Sequence, residues 1–278
     1  MQWANIIEAA SKKAEQAIPI NEGDYIKDGR YFCGKCHTAK ECIVRNPFTG
    51  KMDKHRCLCA CEEQAYKDKQ EQENERQRRY RAFQMRSAGL HDRSLANKTF
   101  ANDNGINPNM QIAEKYVARW EEMKKQNVCA IFSGDCGCGK TYAAACIANA
   151  LIDRGVPVLM TTASRIIDKA MSFNADYDFV KEMREYDLLI LDDFGAERTT
   201  EYATQKLFDV IDARINQGKP MILTTNLRKE DFAHPKDLTY QRIFSRLTGG
   251  CVTIPFKGGD LRAKAGEEKK REAMKLFL

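Results

Sequence analysis

Beyond about residue 127 the chain alternates short apolar runs with longer helix-forming segments. The apolar runs are VCAIF (128–132), PVLM (157–160), DLLIL (187–191), PMILTT (220–225) and CVTIPF (251–256). Between them lie stretches such as TYAAACIANALIDR (141–154) and TEYATQKLFDVIDARIN (200–216). Runs this short and this continuously apolar read as strands buried on both faces, and their alternation with helices predicts an α/β domain with a mainly parallel, helix-covered sheet. No repeat of 20 to 50 residues is visible.

The N-terminal third reads differently. Trp3, Ile6, Ile7, Ala10, Ala14, Ala17 and Ile18 recur at spacings of three and four, which predicts an amphipathic helix over residues 3–18. From Lys51 to Ala88 there is neither glycine nor proline, and KDKQEQENERQRRYR (67–81) is almost wholly polar. Good helix formers of mixed charge without an apolar stripe predict a solvated connecting helix. The expected organisation is a small N-terminal module (1–65), a helical linker (66–95) and the α/β domain (96–278), ending in a short C-terminal helix.

Bulk composition narrows the class. With 43% hydrophobic and 30% charged residues, the 278-residue chain has enough apolar content for a sizeable core. It has no apolar run of about 18 residues and no signal-peptide pattern at its start, so the expectation is a cytoplasmic protein without a membrane partner. A formal net charge of +6 is concentrated in residues 1–100, with 19 Lys and Arg against 14 Asp and Glu. That excess alone does not define a nucleic-acid binder. Eleven cysteines in a reducing compartment point to metal binding or burial, not to disulfides.

The candidate chemistry begins after the VCAIF run. Gly134, Gly139, Lys140 and Thr141 fit G-x-x-x-x-G-K-[ST] between a strand and an alanine-rich helix. That setting lets loop N–H groups and a helix N-terminus surround phosphates. The expected nucleotide-binding loop is Gly134, Cys136, Gly137, Cys138, Gly139, Lys140, Thr141 and Tyr142, with Lys140 on the β- and γ-phosphates of ATP and Thr141 on Mg²⁺. Cys136 and Cys138 have no second ligand pair nearby, and a metal there would fill the phosphate space; they read as small loop residues, with an oxidation-sensitive Cys138 as the alternative.

Two acidic residues close the run LLILDDFG. Asp192 would hold the Mg²⁺ shell and Asp193 would polarise an attacking water. Asn226, ending PMILTTN, is either a water-orienting group or a turn residue. Arg242 and Arg246 share a helical face, and Arg262 precedes the C-terminal helix; each is a candidate for stabilising transition-state charge.

A separate cysteine group lies upstream. Cys33 and Cys36 form a C-x-x-C turn, and Cys57, Cys59 and Cys61 follow about twenty residues later. The expected ligands of a structural Zn²⁺ are Cys33, Cys36, Cys59 and Cys61, with Cys57 as a replacement and Cys42, His37 and His55 outside the set. So small a segment lacks the apolar content for a core, so metal would supply its folding energy.

Taken in order, GDCGCGKT, LLILDDFGAER, ILTTN, RIFSRL and GGDLR resemble the AAA+ helicase loaders of the DnaC/DnaI type, in particular phage-encoded versions with an N-terminal zinc module. The resemblance covers about residues 95–278, and the cysteine pattern more loosely. It implies an AAA+ (ASCE P-loop) sheet, ATP-dependent self-assembly, and single-stranded DNA and a replicative helicase as partners. By position it implies Lys140 and Thr141 as nucleotide and Mg²⁺ residues, Asp192 and Asp193 as Walker B, Asn226 as sensor 1, Arg246 as the arginine finger and Arg262 as sensor 2. Asp193 stands where glutamate is common in AAA+ proteins. Loaders carry an extra helix before Walker B, and SRIIDKAMSF and YDFVKEMREY fill that place here. Arg165, Lys169, Phe173 and Lys181 are the DNA-contact candidates there, although solvated helix faces account for them equally well. Two other readings share parts of this pattern: an IstB-like transposition-helper ATPase, and a zinc-stabilised adaptor that uses ATP only for assembly.

Overall fold

The computed structural model describes residues 21–47, 49–103, 105, 107–171, 179–195 and 200–277. The amphipathic helix expected over residues 3–18 and the DNA-contact candidate Phe173 lie outside the described residues. The chain divides into two compact units, Met1–Gln77 and Arg78–Leu278.

In the first unit, strands β1 (Tyr25–Lys27) and β2 (Arg30–Phe32) form one antiparallel hairpin, and β3 (Glu41–Arg45) and β4 (Met52–Arg56) form a second. Helix α1 (Ala60–Gly89) begins in this unit and has 30 residues, so the polar run 67–81 is helical, as its composition predicts. Among the described residues here, only Cys33, Lys40, Glu41 and Cys59 are buried. Ile26 and Met52, both apolar, are exposed. The described part of the unit is therefore built around thiols and charge. Lys40 Nζ lies 2.6 Å from Asp24 and 3.3 Å from Glu62, and Asp24 also accepts the Gly34 N–H at 3.0 Å. A lysine this enclosed needs both carboxylates, because desolvating an unpaired ammonium costs several kcal/mol.

The second unit is a three-layer α/β domain. Helices α2 (Met110–Ala118) and α3 (Trp120–Lys125) precede β5 (Cys129–Ser133). Then follow α4 (Lys140–Asp153), β6 (Val158–Thr162), α5 (Ala163–Met171), α6 (Phe179–Arg184), β7 (Leu188–Phe194) and α7 (Glu201–Asn216). Strand β8 (Met221–Thr225), α8 (Lys229–Ala233), α9 (Leu238–Gly250), β9 (Cys251–Pro255) and α10 (Leu261–Met274) complete it. All five strands run parallel in the order β6-β7-β8-β5-β9. This is the AAA+ strand order, with β5 hydrogen-bonded on both sides. Each apolar run named above overlaps one of these strands.

Alternation along the strands builds the two cores. Ala130, Phe132, Met160 and Ile190 face α2 and α4, while Ile131, Leu159, Leu191 and Leu223 face the layer of α5, α7 and α9. In α4 the residues against the sheet include Ala143, Ala144 and Ala148, all fully buried. Their small side chains let the helix backbone approach the sheet closely while Ile147 and Leu151 fill the flanks. Arg214 of α7 is buried among backbone carbonyls and donates to Pro220, Met183, Tyr186 and Asp187 at 2.7–3.3 Å. One guanidinium thus fastens the loops before β7 and β8, whose carbonyls would otherwise be buried without donors. No helix among the described residues is long and apolar enough to cross a membrane.

Candidate functional site

The carboxyl ends of the parallel strands converge on one cavity of about 650 Å³, lined by Cys136, Gly137, Gly139, Lys140, Thr141 and Tyr142 of the loop and helix after β5. Asp192 and Asp193 from β7, Asn226 after β8 and Arg262 of α10 also line it. Crevices at this end of an open α/β sheet are where such folds bind ligands. The loop owes its path to its glycines. Gly137 and Gly139 have φ of 80° and 91°, and a Cβ on either would lie 2.0 Å from Asp260 Oδ1 or 2.3 Å from Asn107 Nδ2. The loop is also tied to the chain beyond β9, since Leu261 N–H donates to Gly137 O at 3.0 Å.

Lys140 is only 5% exposed. Its ammonium donates to Gly134 O at 2.9 Å, Asp135 O at 2.8 Å and Asn226 Oδ1 at 2.8 Å, and lies 3.6 Å from Cys138 Sγ. These partners are neutral; among the described residues no carboxylate pairs with it. A buried cation held in place by dipoles and facing a cavity fits an anionic ligand such as the phosphates of a nucleotide.

Opposite it, Asp192 is 8% exposed. Its Oδ1 accepts from the hydroxyls of Thr141 at 2.9 Å and Thr224 at 2.6 Å. Burial pushes the Asp192 carboxyl above its ordinary range, and the two hydroxyls act in the opposite sense. Asp192 and Thr141 are thus side by side, an oxygen pair suited to the hydration shell of Mg²⁺. Asp193 leaves the extended conformation at φ 57°, where the pairing of β7 with β8 is irregular. Its N–H donates to Thr224 Oγ1 at 3.0 Å and its side chain is exposed beside the cavity.

The other expected residues fall into place unevenly. Cys136 is exposed at the cavity, whereas Cys138 is buried in the core beneath the loop. Gly134 sits at the start of the loop, where its carbonyl accepts from Lys140. Arg246 is half exposed on α9, pairs with Asp212 of α7 at 2.7 Å, and does not line the cavity. Arg242 lies 4.1 Å from the centre of the Phe208 ring. Arg165 and Lys181 are exposed and Lys169 half-buried on α5 and α6. Sequence reasoning did not single out Thr224, Asp260 or Asn107. A threonine inside an apolar strand and an asparagine in a loop carry no local signal of their role.

In the first unit Cys33, Cys36, Cys59 and Cys61 place their sulfurs within 4.8 Å of one another. Cys61 Sγ lies 3.6 Å from Cys33 Sγ and 3.3 Å from Cys59 Sγ. Tetrahedral zinc with bonds of about 2.3 Å sets sulfurs roughly 3.8 Å apart, so the donor set fits a closed zinc site. The turn after β2 supplies one pair and the start of α1 the other, and the Ala60 N–H donates to Thr38 Oγ1 at 2.9 Å between them. The Thr38 hydroxyl and nearby N–H groups hold the Cys36 thiol down to about 5, favouring the thiolate that a metal requires. Cys57 lies outside the cluster, with its sulfur on Ala39 O.

Residues 64–269 match the family of IstB-like ATP binding proteins. A putative ATP-binding protein of an insertion sequence from Mycobacterium tuberculosis is 27% identical over 162 residues, 56% of this chain and 63% of that protein. The replicative helicase loader DnaC of Escherichia coli is 27% identical over 158 residues, 55% of this chain and 62% of the loader. An uncharacterised Escherichia coli protein, YdaV, is 34% identical over 124 residues, 42% of this chain and 48% of its own length. The chain thus spans about half to just under two thirds of the length of these relatives. A crystal structure of DnaI aligns with a TM-score of 0.49 at 24% identity, covering 61% of this chain and 93% of that one.

Proposed function

Because the chain belongs to the family of IstB-like ATP-binding proteins, we propose that it is an AAA+ ATPase that loads a replicative helicase onto single-stranded DNA, assembling through its α/β domains. The observation that carries the nucleotide half of this reading is the buried, dipole-held Lys140 ammonium facing the cavity without a carboxylate partner among the described residues. Likeness to the loader DnaC supports the helicase half, and the four-cysteine unit supports a separate module for gripping a partner. The domain boundaries proposed are 1–65, 66–95 and 96–278.

Lys140 would bind the β- and γ-phosphates, and loop N–H groups from Cys136 to Thr141 would surround them. Thr141 and Asp192 would orient a hydrated Mg²⁺, which supplies charge neutralisation at the phosphates. Asp193, exposed at the mouth, would accept the proton of an attacking water, and Asn226, braced by Lys140, would orient that water. Arg262 would act within the same subunit. Arg246, away from its own cavity, would act on the site of a neighbour. Arg165, Lys169, Phe173 and Lys181 remain the proposed DNA contacts. Cys33, Cys36, Cys59 and Cys61 would hold Zn²⁺, which supplies folding energy to a unit whose described residues form no apolar core.

The testing experiment measures ATP turnover and nucleotide binding together. Lys140→Ala should lose both, whereas Arg246→Ala should bind nucleotide normally and lose turnover by about 10³-fold or more. Normal turnover by Arg246→Ala would remove the shared-site assembly. A second reading, a transposition helper of the IstB kind, is favoured by the insertion-sequence relative. Pull-down of a replicative helicase in ATP supports the first reading, and capture of a transposase supports the second. Nucleotide binding without turnover, with or without single-stranded DNA, would leave an assembly adaptor.

A further inference from the structure

The loop that leads into α2 carries a buried amide whose orientation is fixed and whose donor is unused. Asn107 is 7% exposed. Its Oδ1 accepts two hydrogen bonds from Asn109, one from the backbone N–H and one from Nδ2, both at 3.0 Å. Asn109 is itself held by the chain after β9: its Nδ2 donates to Lys257 O at 2.9 Å and its Oδ1 accepts the Lys257 N–H at 3.3 Å. Two donors on Oδ1 leave no freedom to turn the amide over, so Nδ2 must point the other way.

That direction is toward the phosphate loop. A Cβ placed on Gly139 would lie 2.3 Å from Asn107 Nδ2, and Asn107 lines the same cavity as Lys140 and Thr141. Yet Nδ2 has no hydrogen-bond acceptor among the described residues. A buried N–H left unpaired costs about 1–3 kcal/mol, and native chains pair such groups with few exceptions. Here a three-residue brace spends its bonding capacity on aiming that donor at a ligand site.

We propose that Asn107 is a nucleotide-binding residue whose Nδ2 donates to an acceptor on the bound nucleoside triphosphate. The inference rests on the nucleotide reading of this cavity. It adds a contact from outside the loop, delivered by the segment before α2 and held in register by the segment after β9.

Asn107→Asp tests it, because the carboxylate keeps an acceptor for Asn109 while it removes the donor and adds a charge. Asn102→Asp places the same charge on an exposed residue of the same cavity, and so controls for general repulsion of an anion. Titration calorimetry with a non-hydrolysable ATP analogue and Mg²⁺ should show Asn107→Asp weakened about tenfold to a hundredfold. Asn102→Asp should stay within about threefold of the wild type, a small part of that loss. Thermal melting without nucleotide should show all three proteins folded at the assay temperature, with some loss in both variants, since Asn102→Asp gives up the bond from Asn102 Nδ2 to Asn97 O at 2.8 Å and Asn107→Asp buries a charge. Affinity of Asn107→Asp within about twofold of the wild type, or equal weakening by Asn102→Asp, would overturn the assignment. An absence of binding by the wild type would instead overturn the nucleotide reading itself.

Discussion

Thr224 offers a sharp test of how the acidic side of the cavity is held. It is fully buried in β8; its hydroxyl donates to Asp192 Oδ1 at 2.6 Å and accepts the Asp193 N–H at 3.0 Å. Thr224→Val keeps the shape and removes both bonds. A hydrogen bond to a charged group is worth about 1.5–3 kcal/mol, and the stranded Asp193 N–H adds to the loss, so the expected destabilisation is at least about 2 kcal/mol. For a domain of this size each kcal/mol lowers the melting temperature by about 2–4 °C, which gives a fall of roughly 4–8 °C. Thr224→Ser, which keeps the hydroxyl, should recover most of it. Because Asp192 loses one of its two orienting donors, Mg²⁺-dependent nucleotide binding should weaken in the valine variant and not in the serine one. A valine variant that melts within about 1 °C of the wild type and binds nucleotide normally would refute the reasoning.

Other outcomes follow from the same geometry. Cys59→Ser should lower the zinc content measured by elemental analysis and make residues 21–77 sensitive to protease, whereas Cys57→Ser should leave both unchanged; zinc-free wild-type protein that resists protease would contradict this. Gly139→Ala adds a Cβ in a left-handed conformation against Asn107, a strain of about 1–2 kcal/mol, so nucleotide affinity should fall about tenfold or more in titration calorimetry. Arg214→Met strips the buried carbonyls of Pro220, Tyr186 and Asp187 of their donor, and urea unfolding should register a loss of about 3 kcal/mol or more.

How much was legible in the sequence follows from the range of the forces involved. The five strands were readable because burial on both faces demands an unbroken apolar run, and no other constraint competes with that demand. The phosphate loop was readable because glycine, lysine and threonine are needed at fixed offsets along one turn. The four clustered cysteines were readable because two pairs of thiols in a segment too polar for a core have few other uses. Thr224, Asn107 and Asn109 were not, since their roles come from partners 32, 32 and 148 residues away (Asp192, Gly139 and Lys257). The burial of Cys138 beside an exposed Cys136 was equally hidden: both are small residues of one loop, and only the path of the backbone separates them.

The left-handed backbone at Asp193 bears on why an aspartate occupies a position where glutamate is common. At φ 57° the strain comes from the Cβ, which aspartate and glutamate share, and aspartate offsets it better because its short polar side chain can bond the nearby main chain. Lengthening this acid by one methylene would therefore gain reach toward the mouth and lose that local compensation. The kink thus favours the shorter carboxylate on backbone grounds, apart from any role in catalysis.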